Sequence, residues 1–453
     1  MLNPKIKIAI AGVGTVGKGL IDLLLKYKNK QTKIEITAIA SRRKQEFKGG
    51  IFKNTIFFSD AKKLLKFHNY DILVELIGGE KWVSKDIVFN ALREKKNVVT
   101  ANKALVSKFS NQLNSLMEKN NCSLKYEAAV AGGIPIIKVI DEFLLSNKIT
   151  KIYGILNGTS NYILSNMLLY NKDFKNILSE AQKLGYAESN PKFDIDGTDT
   201  AHKLSILSSL AFECYNNVSK IDNEGIENVD LQDLEIADSL GYKIKLLGIT
   251  ELKNKNIKNF VYPCLLSKDS FIAKIDGVYN GIVVESNFCK KSCFVGEGAG
   301  AHPTATSVLS DIISLSKKRK NRFKQSPTFP YQETSLQSRF GSYYLRFTTY
   351  DKPGVISGIA NQFKTFNISM KSMLQKETEI GNSKDATIVI TTHNCFENNM
   401  MKALKKINRL NFIRKKTVYF RIENFKWSTQ SVGISYQLKA YNSSRNCLWH
   451  QIF

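Results

Sequence analysis

The first seventeen residues restrict the fold more than any other stretch of the chain. Residues 5–11 (KIKIAIA) alternate and then turn apolar, as a buried strand does, and GVGTVG follows at once at 12–17. A helical run, KGLIDLLLKY, continues from residue 18. Strand, glycine loop and helix in that order are the context that separates a dinucleotide-binding GxGxxG from a chance match. Gly12 permits the tight turn, Gly14 lets backbone N–H groups approach a pyrophosphate, and Gly17 lets helix and strand pack closely. Thr15 and Val16 complete the loop, and the helix start offers positive partial charge to the phosphates.

The pattern then repeats. A strand at 34–40 (IEITAIA) ends in Ser41-Arg42-Arg43-Lys44, where an NAD-preferring site usually offers an acidic residue to the ribose 2′-hydroxyl. Cations there suit a 2′-phosphate, which predicts NADP(H) as the preferred cofactor, NAD(H) as the alternative, and Arg42 or Arg43 as the contact. A strand at 71–77 leads to Gly78-Gly79, residues 84–93 read as a helix, and a strand at 97–100 leads to Ala101-Asn102-Lys103. Ligands of open α/β sheets bind beyond the carboxyl ends of the strands. Thr100 and Lys103 therefore lie where a nicotinamide and its substrate would meet.

At 453 residues the chain has room for about two to four domains. Its 43% hydrophobic and 23% charged content is ordinary for a globular protein, but the net charge of +26 is not. Lysines and arginines are spread from Lys5 to Lys439 without a basic arm or a stripe interleaved with aromatics. That diffuse excess is a compositional bias rather than a nucleic-acid footprint. The seven cysteines include no CxxC, and Cys289 and Cys293 are too few for a zinc site. The expectation is a soluble, reduced, cytoplasmic protein with no signal peptide, nucleic-acid partner or membrane partner.

Further on, a strand at 124–130 carries Glu127 into Ala131-Gly132-Gly133-Ile134-Pro135, with Pro135 predicted in the first turn of a helix through residue 143. Asn157-Gly158-Thr159-Ser160 is a turn that caps the next helix, and Gly185 suits the C′ position after the helix at 174–184. Residues 181–203 (AQKLGYAESNPKFDIDGTDTAHK) then gather Glu188, Asp194, Asp196, Asp199, His202 and Lys203. Asp199 and Lys203, four apart at a helix start, share one face. Three glycines at 296–300 precede another helix at 304–315.

Five motifs in order, GVGTVG, VVTANK, EAAVAGGIP, GILNGTSNYIL and the 181–203 stretch, resemble the homoserine dehydrogenase family over about residues 5 to 318. The resemblance implies reversible NAD(P)H-dependent reduction of L-aspartate 4-semialdehyde to L-homoserine, on the route to threonine and methionine. By position, Lys203 resembles the general acid and Lys103 a second catalytic lysine. Glu188 and Asp199 resemble substrate-binding carboxylates, with Asp194 as a positioning group. Gly185 and Gly300 resemble backbone contacts near the cofactor, and Glu127, Val130, Gly132 and Ile134 match the family's sodium site. Hydride addition to an aldehyde builds an alkoxide that needs a proton or positive charge, which a held lysine supplies. Asp196 and His202 read as structural.

The expected fold class is α/β: a Rossmann-type domain (1–130 plus about 300–318), an α+β substrate/dimerisation domain (131–299), a linker (319–340) and a βαββαβ module (341–423) resembling an ACT domain. Its DKPGV and NISM segments carry that likeness, which implies a threonine effector site. Residues 424–453 suggest no role. The expected protein is a homodimer or homotetramer without a fused aspartokinase. Two rival readings are aspartate-semialdehyde dehydrogenase and an amino-acid-sensing regulator. The first needs a nucleophilic cysteine in a catalytic turn, which the sequence does not offer.

Overall fold

The computed structural model describes residues 5–26, 33–42, 50–79, 82–316, 331–380 and 383–425. Its N-terminal apolar runs form a parallel sheet of β1 (Lys5–Ala11), β2 (Lys33–Ala40), β3 (Ile56–Phe58), β4 (Ile72–Glu75), β5 (Asn97–Thr100) and β6 (Leu124–Lys125), in the order β3-β2-β1-β4-β5-β6. Successive side chains of a strand face opposite ways. Ile6, Ile8 and Ile10 of β1 therefore join one core, with the helices Thr15–Lys26 and Ala301–Ser316, while Ala9 and Ala11 join another. The strand order reverses between β1 and β4, and the glycine loop leaves β1 at that switch point, where such sheets bind ligands. The helix Ala301–Ser316, distant in sequence, lies against the helix Thr15–Lys26. A Cβ on Gly19 would come within 2.5 Å of the Ala301 carbonyl oxygen.

The second sheet joins β7 (Ile149–Ile155), β8 (Asp222–Asn223), β9 (Tyr242–Lys253), β10 (Asn256–Ser267), β11 (Tyr279–Ser286), β12 (Lys290–Glu297), β13 (Gln332–Glu333), β14 (Phe340–Tyr350), β15 (Met370–Ile380), β16 (Ser383–Thr392), β17 (Cys395–Phe396) and β18 (Val418–Glu423). Its main path runs β12-β11-β7-β9-β10-β18-β14-β16-β15. The last four strands and the helices Val355–Thr365 and Glu397–Ile407 make a βαββαβ module with its strands in the order fourth, first, third, second. This module is not hung on a tether: β18 pairs in parallel with β10 at Cys264–Leu266. Along β10, β13 pairs at Asn256–Ile257 and β8 at Phe260–Val261.

Several local expectations change. The helix expected from Pro135 is α-helical only over Ile136–Lys138 and continues as a π-helical turn, Val139–Phe143, with Pro135 at the cap position rather than inside. Its amides at Ile137 and Lys138 are taken by the Glu127 carboxylate, each at 2.9 Å. Strand β12 was not legible, because as a half-exposed edge strand it carries only the short apolar run Cys293-Phe294-Val295. Part of the expected linker pairs with β10 as β13, and residues 317–330 lie outside the described residues. Phe425, in the segment without an assigned role, is buried and stacked on Tyr153 with ring centroids 3.8 Å apart. Residues 426–453 lie outside the described residues.

Candidate active site

Two of the loop's three glycines sit where contacts leave no room for a side chain. Gly12 has φ +99°, and a Cβ there would lie 2.8 Å from the Leu76 backbone. A Cβ on Gly17 would meet the Gly12 carbonyl oxygen at 2.4 Å, whereas one on Gly14 would meet nothing within 4 Å. Tight on the protein side and open on the other, the loop fits a pyrophosphate laid across Gly14. The helix-start amides after it have no intrahelical acceptor. Thr15 is exposed and Val16 half-buried in that first turn. Arg42 is exposed just beyond β2; Arg43 lies outside the described residues.

Beyond β4 and β5 a buried polar network sets the sheet edge. The fully buried Thr100 hydroxyl donates to Glu75 Oε2 at 2.5 Å and accepts from the Asn102 amide at 3.0 Å. Glu75 Oε1 accepts from the Ile77 and Gly78 amides. Asn102 donates to the Gly79 carbonyl and to Ser84, and its Oδ1 caps the helix Lys103–Asn120 by accepting from the Leu105 amide. Thr100, expected where nicotinamide and substrate would meet, stands at the carboxyl end of β5 with its hydroxyl bonded within the protein. Glu75 was missed; a glutamate inside the apolar run DILVELI was itself the signal.

The cap places Lys103 at the head of its helix, opposite the helix Thr198–Ala211. Asp199 bridges the two lysines: Oδ1 is 2.6 Å from Lys103 Nζ, and Oδ2 is 2.7 Å from Lys203 Nζ. Lys203 also donates to the Leu156 carbonyl at 2.7 Å, which accepts in addition from Asn280 Nδ2 at 3.1 Å. The side chain of Lys203 is 11% exposed and that of Lys103 is 40% exposed. Asn157 Nδ2 donates to Asp194 Oδ1 at 2.8 Å and to Asp199 Oδ2 at 2.9 Å, while its Oδ1 accepts from the Ser160 amide and hydroxyl. The NGTS turn revealed the cap; the bridge between two carboxylates was not readable from it.

The charges divide the two aspartates. Burial pushes the Asp199 carboxyl up, but the Lys203 and Lys103 ammonium groups override it and hold it well below the usual carboxylate range. Asp194 is raised, chiefly by burial, with the Asn157 bond opposing. Lys103 is raised, first by the charge of Asp199, against burial, with Asp194 and Glu188 adding to the effect. Glu188 is exposed on the loop that follows Gly185, which has φ +77°. Gly300, with φ +123°, turns the chain into the helix Ala301–Ser316. Asp196 Oδ1 accepts from the Thr198 amide, a turn contact. His202 Nδ1 shares a 2.7 Å hydrogen bond with Ser107 Oγ and so ties the two lysine-bearing helices together.

At the expected cation site the Glu127 carboxylate is spent on the amides of Ile137 and Lys138, and burial raises it to about 7. Ala131 and Gly132 are both left-handed, and the Gly132 carbonyl accepts from Ser307 Oγ at 2.7 Å. The carbonyls of Glu127 and Ile134 accept from the Val130 and Ile136 amides.

Residues 12–127 match the family model for the homoserine dehydrogenase NAD binding domain, and residues 135–313 match the homoserine dehydrogenase model. The homoserine dehydrogenase of Neisseria gonorrhoeae is 36% identical over 433 residues, 92% of this chain and 99% of that protein. That of Helicobacter pylori is 36% identical over 434 residues, 93% of this chain and 100% of that protein. Among solved structures, a homoserine dehydrogenase from Thiobacillus denitrificans matches with a TM-score of 0.85 at 32% identity, over 93% of this chain and 99% of that one. A hyperthermophilic archaeal homoserine dehydrogenase in complex with NADPH matches with a TM-score of 0.61 at 26% identity, over 70% of this chain and 99% of that one. Among the described residues no helix is long and apolar enough to cross a membrane.

Proposed function

This chain belongs to the homoserine dehydrogenase family, and from that premise we propose that Lys203 is the general acid in reducing L-aspartate 4-semialdehyde to L-homoserine. The observation that carries this assignment is the Lys103–Asp199–Lys203 bridge. The nicotinamide, when bound, supplies the hydride. An ammonium group has three donors; Lys203 commits two, to Asp199 and the Leu156 carbonyl, which leaves one for the oxygen that gains charge as the aldehyde is reduced. The proton passes from Lys203 Nζ to that oxygen, and the reverse reaction returns it. Lys103, kept protonated by Asp199 and less buried, is the second cation at the substrate.

Asp199 then serves to hold lysines rather than to bind substrate, since both its oxygens are taken. Glu188, exposed on its loop, is the carboxylate for the substrate ammonium, and Asp194, fixed by Asn157, positions it. Arg42, exposed beyond β2, supports NADP(H) as the preferred cofactor. Sodium would be held by the carbonyls of Glu127, Val130, Gly132 and Ile134. The βαββαβ strand order supports an ACT-like module, and on the family likeness its effector is threonine and the assembly a homodimer or homotetramer. The test is oxidation of L-homoserine with NADP and NAD side by side, each with and without threonine and sodium. Turnover favouring NADP and falling with added threonine is the expected result. Turnover that favours NAD and ignores threonine would overturn both assignments.

A further inference from the structure

The edge of β10 brings the C-terminal module to the back of the carboxylate loop. Strands β8 and β18 pair with β10 at Phe260–Val261 and Cys264–Leu266, so Arg421 of β18 comes beside Glu224, which follows β8. Arg421 is 1% exposed and grips Glu224 with both terminal nitrogens, Nη1 to Oε2 and Nη2 to Oε1, each at 2.8 Å. Its other face is fixed by Glu397, itself bonded to the Tyr343 hydroxyl, and its guanidinium lies 4.5 Å from the Tyr262 ring centroid. A bidentate arginine held on every side has little freedom of its own.

The segment carrying Glu224 clasps the loop between Asp194 and Asp199. The Ile226 amide donates to the Ile195 carbonyl at 2.7 Å, and Asn223 Nδ2 donates to the Asp196 carbonyl at 3.0 Å. Gly225 approaches so closely that a Cβ there would lie 2.1 Å from the Ile195 carbonyl oxygen. Beyond Gly197 the helix with Asp199 and Lys203 begins. We propose that Arg421 and Glu224 are positioning residues for the reaction: the C-terminal module, through this pair, sets the place of the 194–199 loop and hence of the carboxylates and Lys203. The inference rests on the proposed roles of Asp199 and Lys203.

The module makes a second buried contact that serves as a control. Arg346 binds Asp233 and Gln232 on the helix Leu231–Ser239 and Asp230 at its N-cap, and none of these lies in the 194–199 loop. The side chain of Glu224 is 39% exposed and that of Asp230 is 69% exposed, so Glu224→Gln and Asp230→Asn each neutralise the more exposed acidic partner of an interdomain arginine without burying a new charge. In the full-length enzyme Glu224→Gln is expected to lower kcat/KM for homoserine about tenfold, with the KM for NADP unchanged, whereas Asp230→Asn leaves both unchanged. Arg421→Lys should lower kcat/KM similarly, and the double variant should be no worse than either single one. Equal effects of Glu224→Gln and Asp230→Asn, or an unchanged kcat/KM in Glu224→Gln, would overturn the proposal. Asp199→Asn run in parallel separates the two levels. Its loss of turnover beside a normal Glu224→Gln removes only the present inference, while its full turnover removes the site assignment itself.

Discussion

Replacing Asp199 by Asn keeps the shape of the bridge and deletes its charge. The residue is 4% exposed, and each oxygen meets one ammonium group. Removing one partner of a buried ion pair costs about 3–5 kcal/mol. Lys103, with the more exposed side chain, can turn to solvent, so the loss falls mainly on Lys203. Turnover should fall by about 10²-fold or more if Lys203 is the proton donor, because it loses its anchor. The pH dependence carries a second signature. Asp199 is the first cause of the raised Lys103 pKa, so its charge keeps that lysine protonated to higher pH. In Asp199→Asn the alkaline limb of the reduction rate should therefore move to lower pH. Stability has its own sign. The folded-state carboxyl is depressed, so its contribution is present above the ordinary carboxylate pKa and is lost as pH falls through and below that range. NADPH consumption with aspartate 4-semialdehyde, followed across pH beside chemical denaturation, measures all three. Wild-type turnover and an unmoved alkaline limb in a folded variant would refute the reasoning.

Two other outcomes are expected. The double variant Arg42→Ala/Arg43→Ala should raise the KM for NADPH and leave that for NADH, which side-by-side initial rates would show; an unchanged NADPH KM would dismiss these arginines as 2′-phosphate ligands. Lys245 is 1% exposed and is lowered by burial to about 8 despite its bond to Asp276. Below about pH 8 folded and unfolded chains both hold its proton; between there and its ordinary 10.5 only the unfolded chain does. Wild-type stability should then rise with pH relative to Lys245→Gln across the alkaline range. Denaturation at several alkaline pH values would read it, and a constant difference would contradict it.

The cofactor unit was legible because its cause is local. A buried strand must be apolar, and a loop that lets backbone approach phosphate must lack Cβ atoms, so KIKIAIA and GVGTVG declare themselves in order. Lys203 and Asp199 were legible for a similar reason, since four residues on a helix is one turn. What stayed hidden depends on contacts between distant segments. Nothing beside Asn157 in sequence indicates that its amide will link Asp194 to Asp199, and nothing around Arg421 points to Glu224. The parallel pairing of β18 with β10 was hidden in the same way: each strand is recognisable alone, but the edge they share is decided by the whole sheet.

That shared edge ties the maturation of the middle sheet to the synthesis of residues 418–425. A chain leaving the ribosome tends to fold its N-terminal parts first, and here β7 to β12 can assemble while β18 is still unmade. Until residues 418–425 emerge, Cys264–Leu266 of β10 present unpaired backbone groups and Tyr153 lacks the ring that stacks on it. An open edge beside an uncovered apolar surface is a template for wrong partners. A shortened gene product ending before β18 would leave that edge of β10 open and Tyr153 without its stacking ring.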